Sequence, residues 1–277
     1  PPAPLEPAPA AAPTMSTGSF VSAARGGVTT NWAIARPPGQ TKALRPVIAL
    51  HGKGSDASTV MAGGVEQGLA QAVNAGLPPF AVVAVDGGGS YWHKRASGED
   101  SGAMVLDELI PMLGGQNLDT SRVAFLGWSM GGYGALLLGG RLGPAHTAAI
   151  CAVSPALWLS PGAAAPGAFD GPDDWSANSV FGMPALASIP IRVDCGTGDP
   201  FYGATKQFVA QLPHPPAGGF PPAARPRVLE LAAAGRADLD GAAAHGLARV
   251  RPTCNQGDKA AKISPHAHAR RAGSDLD

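Results

Sequence analysis

Apolar residues along this chain come in short runs set between glycine-rich turns. Pro46 to Leu50, Phe80 to Val85, Val123 to Leu126, Thr147 to Val153 and Ile189 to Gly196 carry few polar positions. All five read as strands, and the run at 123–126 suits a strand buried on both faces. Between them lie stretches with helical spacing. Residues 58–75 read as a helix weakened by Gly63, Gly64 and Gly68. Asp100 to Leu113 reads as an amphipathic helix with Met104, Leu106, Leu109, Ile110 and Leu113 inward. Residues 132–140 suit a helix packed under a sheet. A short helix falls within Ser176 to Ala187, and another runs from Ala204 to Leu212. Ahead of all these, Ser19 to Ala24 and Thr29 to Ala35 read as a hairpin joined at Gly26-Gly27. Alternating strands and helices predict a parallel sheet with right-handed crossovers. Active sites of such sheets gather at the carboxyl ends of the strands.

The run at 123–126 feeds Gly127-Trp128-Ser129-Met130-Gly131, and a second apolar run follows. Gly-x-Ser-x-Gly between a strand and a helix is the pattern of a nucleophile elbow. A serine at such a corner lifts its hydroxyl clear of the sheet. Its neighbours two residues away lie so close that they must lack a Cβ. The next amide, that of Met130, points where an oxyanion forms, and the helix N-terminus adds partial positive charge. The competing reading is an ordinary glycine-rich turn. Upstream, a strand ends in His51-Gly52-Lys53-Gly54. An α/β-hydrolase places its second oxyanion amide there, which nominates the backbone N–H of Lys53. A plain strand-end turn is the alternative.

Other chemistry-bearing residues also follow predicted strands. Asp86-Gly87-Gly88-Gly89 leads into Ser90-Tyr91-Trp92-His93-Lys94-Arg95. Trp92 is expected to wall a substrate cleft with His93, and His93 and Arg95 to pair with Glu99 or Asp100; a loop ordered by its own salt bridges competes with this. Residues 156–175 are rich in proline and glycine and hold Trp158, Phe169 and Trp175. So long a connection reads as a lid, with Trp158 against the substrate. Asp199, on a Gly-Asp-Pro turn after a strand, is the favoured triad acid. Asp194 is the runner-up, and an Asx-turn is the bland reading of Asp199. The base is a histidine that should follow the acid in the chain. His214, His245, His266 and His268 do so, and none sits in a fitting context. His51 and His93 precede the elbow, although a folded-over loop would bring His93 to Ser129.

Composition narrows the class. The 277 residues suit one α/β domain, and a formal net charge of +0 gives no sign of a nucleic-acid partner. No apolar run approaches the roughly 20 residues of a membrane span. Cys151, Cys195 and Cys254 lack metal-ligand spacing, and the first two read as buried free thiols. Residues 1–17 read as a disordered Pro/Ala-rich linker. Its composition is common just after an export signal, which tilts the expectation towards an exported protein.

Together, His51-Gly52, the elbow from Gly127 to Ala135, and Gly196 to Phe201 resemble the esterase family of α/β-hydrolases. That family includes esterase D (S-formylglutathione hydrolase) and the mycolyltransferase antigens, and the likeness is greatest to actinobacterial esterases. It covers about residues 18–220. The resemblance implies the α/β-hydrolase fold and hydrolysis of a small-molecule or lipid ester through an acyl-enzyme, without metal or cofactor. It implies Ser129 as nucleophile, Asp199 as acid, and the Lys53 and Met130 amides as oxyanion donors. A mycolyltransferase-type acyltransferase would use the same residues. A non-catalytic binding protein on the same scaffold is the reading from another class.

The family continues with Gly-x-His, an aromatic and a closing helix, and residues 221–277 do not. All 16 aromatic residues (Phe 8, Trp 5, Tyr 3) lie in the first 220 positions, where about four would be expected in the last 57. One explanation is a tail read in a shifted frame and disordered. Codons for Val228 to Ala244, read one base later, permit an amphipathic segment bearing tryptophans, with a histidine upstream. A natural divergent tail is the alternative.

Overall fold

The computed structural model describes residues 14–213. Seven strands form one sheet in the order β1-β2-β4-β3-β5-β6-β7. They are β1 (Met15–Ser22), β2 (Val28–Ala35), β3 (Pro46–Leu50), β4 (Ala81–Val85), β5 (Val123–Trp128), β6 (Thr147–Val153) and β7 (Ile191–Asp194). β1 pairs antiparallel with β2, and β2 with β4; every other pairing is parallel. This is the mostly parallel sheet covered by helices that the sequence predicts.

The alternation along the central strands sorts side chains onto two faces. Ile48, Leu50, Val83, Val85 and Phe125 join one buried cluster with Leu136 and Leu137 of α5 (Met130–Leu142). Ala49, Val82 and Ala84 join a second with residues of α1 (Ala57–Ala62) and α2 (Val65–Asn74). The faces are unequal. The first carries the large apolar residues and the elbow helix, while small alanines let α1 and α2 approach the second.

Local differences from the sequence reading have identifiable causes. β1 begins at Met15, because Met15, Ser16 and Thr17 pair with Ala35, Ile34 and Ala33. The linker reading therefore falls short there, and residues 1–13 lie outside the described ones. The helix read over 58–75 is two, broken where Gly64 takes φ 85°. The segment from α3 (Ser101–Ala103) to α4 (Ile110–Gly114) is interrupted by a wide π turn over Met104–Leu109. A wide turn rotates the apolar stripe. Val105 is buried in consequence, while Leu106 and Ile110 are only half-buried. The lid helix is α6 (Pro172–Ala177), earlier than expected, with proline at N1 and Asp173 and Asp174 in its first turn. The last described helix is α7 (Tyr202–Gln211). No helix among the described residues is long and apolar enough to cross a membrane.

Candidate active site

Ser129 links β5 to α5 with φ 54° and ψ −120°, a left-handed conformation that a non-glycine residue adopts only when its surroundings enforce it. Three hydrogen bonds supply that enforcement. Its N–H donates to Val153 O (3.0 Å), and its carbonyl accepts from Tyr133 N (3.1 Å) and Ala156 N (2.9 Å). Packing leaves no alternative path. A Cβ at Gly127 would strike the main chain of Gly131, and one at Gly131 would strike the carbonyls of Leu50 and His51. The Ser129 side chain is half-buried at the end of the sheet, outside the core.

The same crowding brings in the loop after β3, where the sequence reading expects the second oxyanion amide. β3 runs beside β5 with Leu50 opposite Gly127. Past these strand ends the chain turns into residues 51–54 on one side and the elbow on the other. A Cβ on Gly52 would lie 3.0 Å from Trp128 Nε1, so the loop packs directly on the elbow. Among the described residues no acceptor takes the Lys53 or Met130 amide. The Lys53 ammonium reaches outward, 5.6 Å from the centre of the Tyr91 ring.

Asp199 occupies a turn past β7. Its N–H donates to Gly196 O (3.0 Å), and its Oδ1 accepts from Phe201 N (2.8 Å), an Asx-turn that leaves Oδ2 uncommitted among the described residues. The turn side chain is only half-buried. Asp194, the other carboxylate, binds Arg192 through both oxygens (2.7 and 3.2 Å).

None of the three described histidines is free to serve Ser129. His51 is fully buried, and its Nε2 faces the N–H of Gly87 at 2.9 Å. Because an amide only donates, Nε2 must accept, so Nδ1 carries the proton and donates to Gly52 O (2.8 Å). Burial pushes the His51 pKa down, against the opposing pull of the Gly52 carbonyl, Asp86 and Asp56. His93 is also buried, with Nδ1 on Lys94 O (2.9 Å) and Nε2 on Ala168 O (3.1 Å). It stacks on Phe169 and anchors the lid, so the expectation that it lines the substrate cleft is corrected. His146 is exposed at the opposite end of the sheet, just before β6. His214, His245, His266 and His268 lie outside the described residues.

A search of curated protein sequences finds no match, but the "Putative esterase" family model matches residues 27–212. The chain belongs to this esterase family. Solved structures agree on the fold. A ferulic acid esterase superposes with a TM-score of 0.59 at 20% identity, covering 71% of this chain and 84% of that one. An S-formylglutathione hydrolase from Agrobacterium tumefaciens gives 0.57 at 20% identity, covering 69% and 78%. The fluorophosphonate-binding serine hydrolase FphF of Staphylococcus aureus gives 0.53 at 19% identity, covering 73% and 86%. The molecule is thus an α/β-hydrolase of the carboxylic ester hydrolase class, and its family implies small-molecule ester substrates.

The rest of the esterase's site corrects further expectations. Trp92 is fully buried and cannot wall a cleft. Its indole fills the space left by Gly87 and Gly134, and its carbonyl crowds Gly102. Gly87 and Gly134, 47 positions apart, were the signal for a large ring between them. Glu99 pairs with Arg25 (3.1 Å), and Asp100 caps α3. Arg95 reaches instead to Asp170 of the lid (2.7 Å), which holds that carboxyl down at about 2. Trp158 stays near the strand ends, its ring 5.9 Å from Tyr91 and 5.6 Å from Phe201. Tyr133, missed by the sequence reading, donates its hydroxyl to Asn178 O (2.7 Å) and ties α5 to the lid. Between them the lid and Tyr133 border a small, half-open pocket of about 10 Å³, lined by Trp158, Phe169, Trp175 and Phe181 among others.

Proposed function

We propose that the esterase works through an acyl-enzyme on Ser129. The Ser129 Oγ attacks the ester carbonyl carbon while its proton passes to an imidazole base. The amides of Lys53 and Met130 hold the oxyanion, and Asp199 orients the base. The alcohol leaves with that proton, and water then cleaves the acyl-enzyme by the reverse sequence of proton transfers. The observation that carries this reading is the enforced left-handed turn at Ser129, against which the Gly52 loop packs; the Lys53 amide of that loop has no acceptor among the described residues. Trp158 is the residue best placed to touch the substrate, since it joins the loops after β4 and β7.

The base is the weak point of this particular chain. The family match ends at residue 212, and the family's Gly-x-His and following aromatic do not recur in residues 221–277. This favours a second statement on the same site: residues 221–277 derive from a shifted frame and the chain is an impaired esterase. Loss of a triad histidine costs up to about a million-fold by the subtilisin precedent.

A fluorophosphonate probe separates the possibilities, with Ser129→Ala as the unlabelled control. Labelling of Ser129 at the rate of a working serine hydrolase means that one of the four later histidines serves as base. Labelling slower by orders of magnitude in folded protein supports the impaired reading, and the nucleotide sequence then decides on the frame. No labelling at all leaves a binding protein on a hydrolase scaffold and ends the acyl-enzyme proposal.

A further inference from the structure

We infer that His51 is a positioning residue for the oxyanion loop: its Nδ1–H holds the Gly52 carbonyl and so aims the Lys53 amide at the reacting carbonyl oxygen. This rests on Ser129 being the nucleophile. The argument is geometric. The Gly52 carbonyl and the Lys53 N–H belong to one rigid peptide plane and point in opposite directions. A bond that fixes the carbonyl at 2.8 Å from Nδ1 therefore fixes the direction of the amide on the far side. The imidazole is itself immobilised. Its Nε2 accepts from Gly87 N of the next loop, and its ring meets the Trp92 indole edge-on at 5.1 Å. Trp92 in turn is wedged against Gly87 and Gly134, the latter inside the elbow helix. One buried ring thus ties the loops after β3 and β4 to the helix that carries Met130.

The arrangement demands a neutral ring. Protonation would set an Nε2–H against the Gly87 N–H, two donors face to face, and the ring would have to turn away from both partners. The charged groups around it divide. Asp86, at the end of β4, and Asp56, capping α1, favour the charged ring; Arg25 of the β1–β2 turn and burial oppose it. Gly52, Gly87 and Trp92, in direct contact, carry no charge.

Two substitutions separate the bonds, because the asparagine amide falls near the position of Nδ1 and the glutamine amide near that of Nε2. His51→Asn keeps a donor for Gly52 O, whereas His51→Gln keeps an acceptor for Gly87 N. The Lys53 amide resonance reads the peptide orientation whether or not Ser129 reacts. It stays near its wild-type position in His51→Asn and moves in His51→Gln. Fluorophosphonate labelling of Ser129 falls on the order of 100-fold in His51→Gln, the usual cost of one oxyanion donor, and only about threefold in His51→Asn. A wall-filling role would move both variants alike, and equal effects in the two overturn the proposal. Should neither variant fold, the wild-type ring decides. Its nitrogen resonances show the Nδ1–H tautomer at neutral pH if the inference holds, and an Nε2–H tautomer sinks it. Wild-type protein that does not label, with Lys53 behaving as described, ends the nucleophile reading and leaves the His51 latch standing.

Discussion

Ser129 and Asp199 each leave the carboxyl end of a parallel strand, yet the two corners are built differently. β5 lies between β3 and β6, and in the elbow after it Gly127, Gly131 and Gly132 abut main chain. β7 has a described neighbour only on its β6 side, and its turn is shaped by its own hydrogen bonds, with nothing within 4 Å of where side chains at Gly196 or Gly198 would stand. The proposed nucleophile and oxyanion amides need fixed directions, and crowding of backbone against backbone around Gly127 and Gly131 is suited to supply them. The acid role proposed for Asp199 needs only reach to a base, and a locally braced turn suffices for that.

The largest expected effect breaks the crowded corner. Gly131→Ala would push a methyl group into the Leu50 carbonyl, which belongs to a central strand and cannot yield. Ordinary overpacking costs about 1–3 kcal/mol because side chains shift. Here the obstacle is main chain, so the loss reaches about 5 kcal/mol or more and leaves no cooperative transition in urea. A well-folded Gly131→Ala protein would mean that the elbow is looser than drawn.

Next comes Trp92→Ala. It empties a fully buried site against His51 and costs about 3–5 kcal/mol in urea denaturation. A loss below about 1 kcal/mol would mean that neighbouring residues close the space, and that the crowded side owes little to this ring.

A smaller effect concerns pH. Because burial lowers the pKa of His51 below its ordinary 6.5, the unfolded chain takes up a proton there before the folded one does. Its contribution to stability is therefore complete above pH 6.5 and is lost as pH falls towards the folded-state value. Unfolding free energy measured from pH 7.5 downward should decline below about 6.5, less steeply in His51→Asn. Identical slopes in the two proteins would show that His51 titrates as a solvated ring and that its burial does not hold.

These contrasts track what could be read from the residues alone. The central strands and the elbow were legible, because short apolar runs and Gly-x-Ser-x-Gly are local signals; β6 has the bounds expected of it. The partners of the polar loop residues were not. Arg25 to Glu99 and Arg95 to Asp170 each join residues more than 70 positions apart, and charge alone cannot choose among carboxylates. The place of Trp92 was hidden for the same reason, since its space is made by two glycines far apart in sequence, Gly87 and Gly134. The stripe of residues 101–114 failed through geometry, because a π turn changes the period on which stripe-reading depends. The start of α6 was readable and missed: Gly171-Pro172-Asp173-Asp174 is a proline at N1 followed by an acidic first turn.

The smallest expected effect sharpens the comparison from the acid side. Gly198 has open space around it and a backbone conformation outside the left-handed region. An added methyl group meets nothing there, and alanine restricts the unfolded chain more than glycine does. Gly198→Ala should therefore stabilise the protein by about 0.4–1 kcal/mol, read as a higher urea midpoint with an unchanged slope. The Asp199 to Phe201 hydrogen bond is unaffected, so the rate of Ser129 labelling should not change. The same glycine-to-alanine change is thus expected to abolish folding at one strand end and strengthen it at another. A destabilisation above about 1 kcal/mol at Gly198 would put the acid turn under the same main-chain crowding as the elbow, and the distinction between the two corners would go.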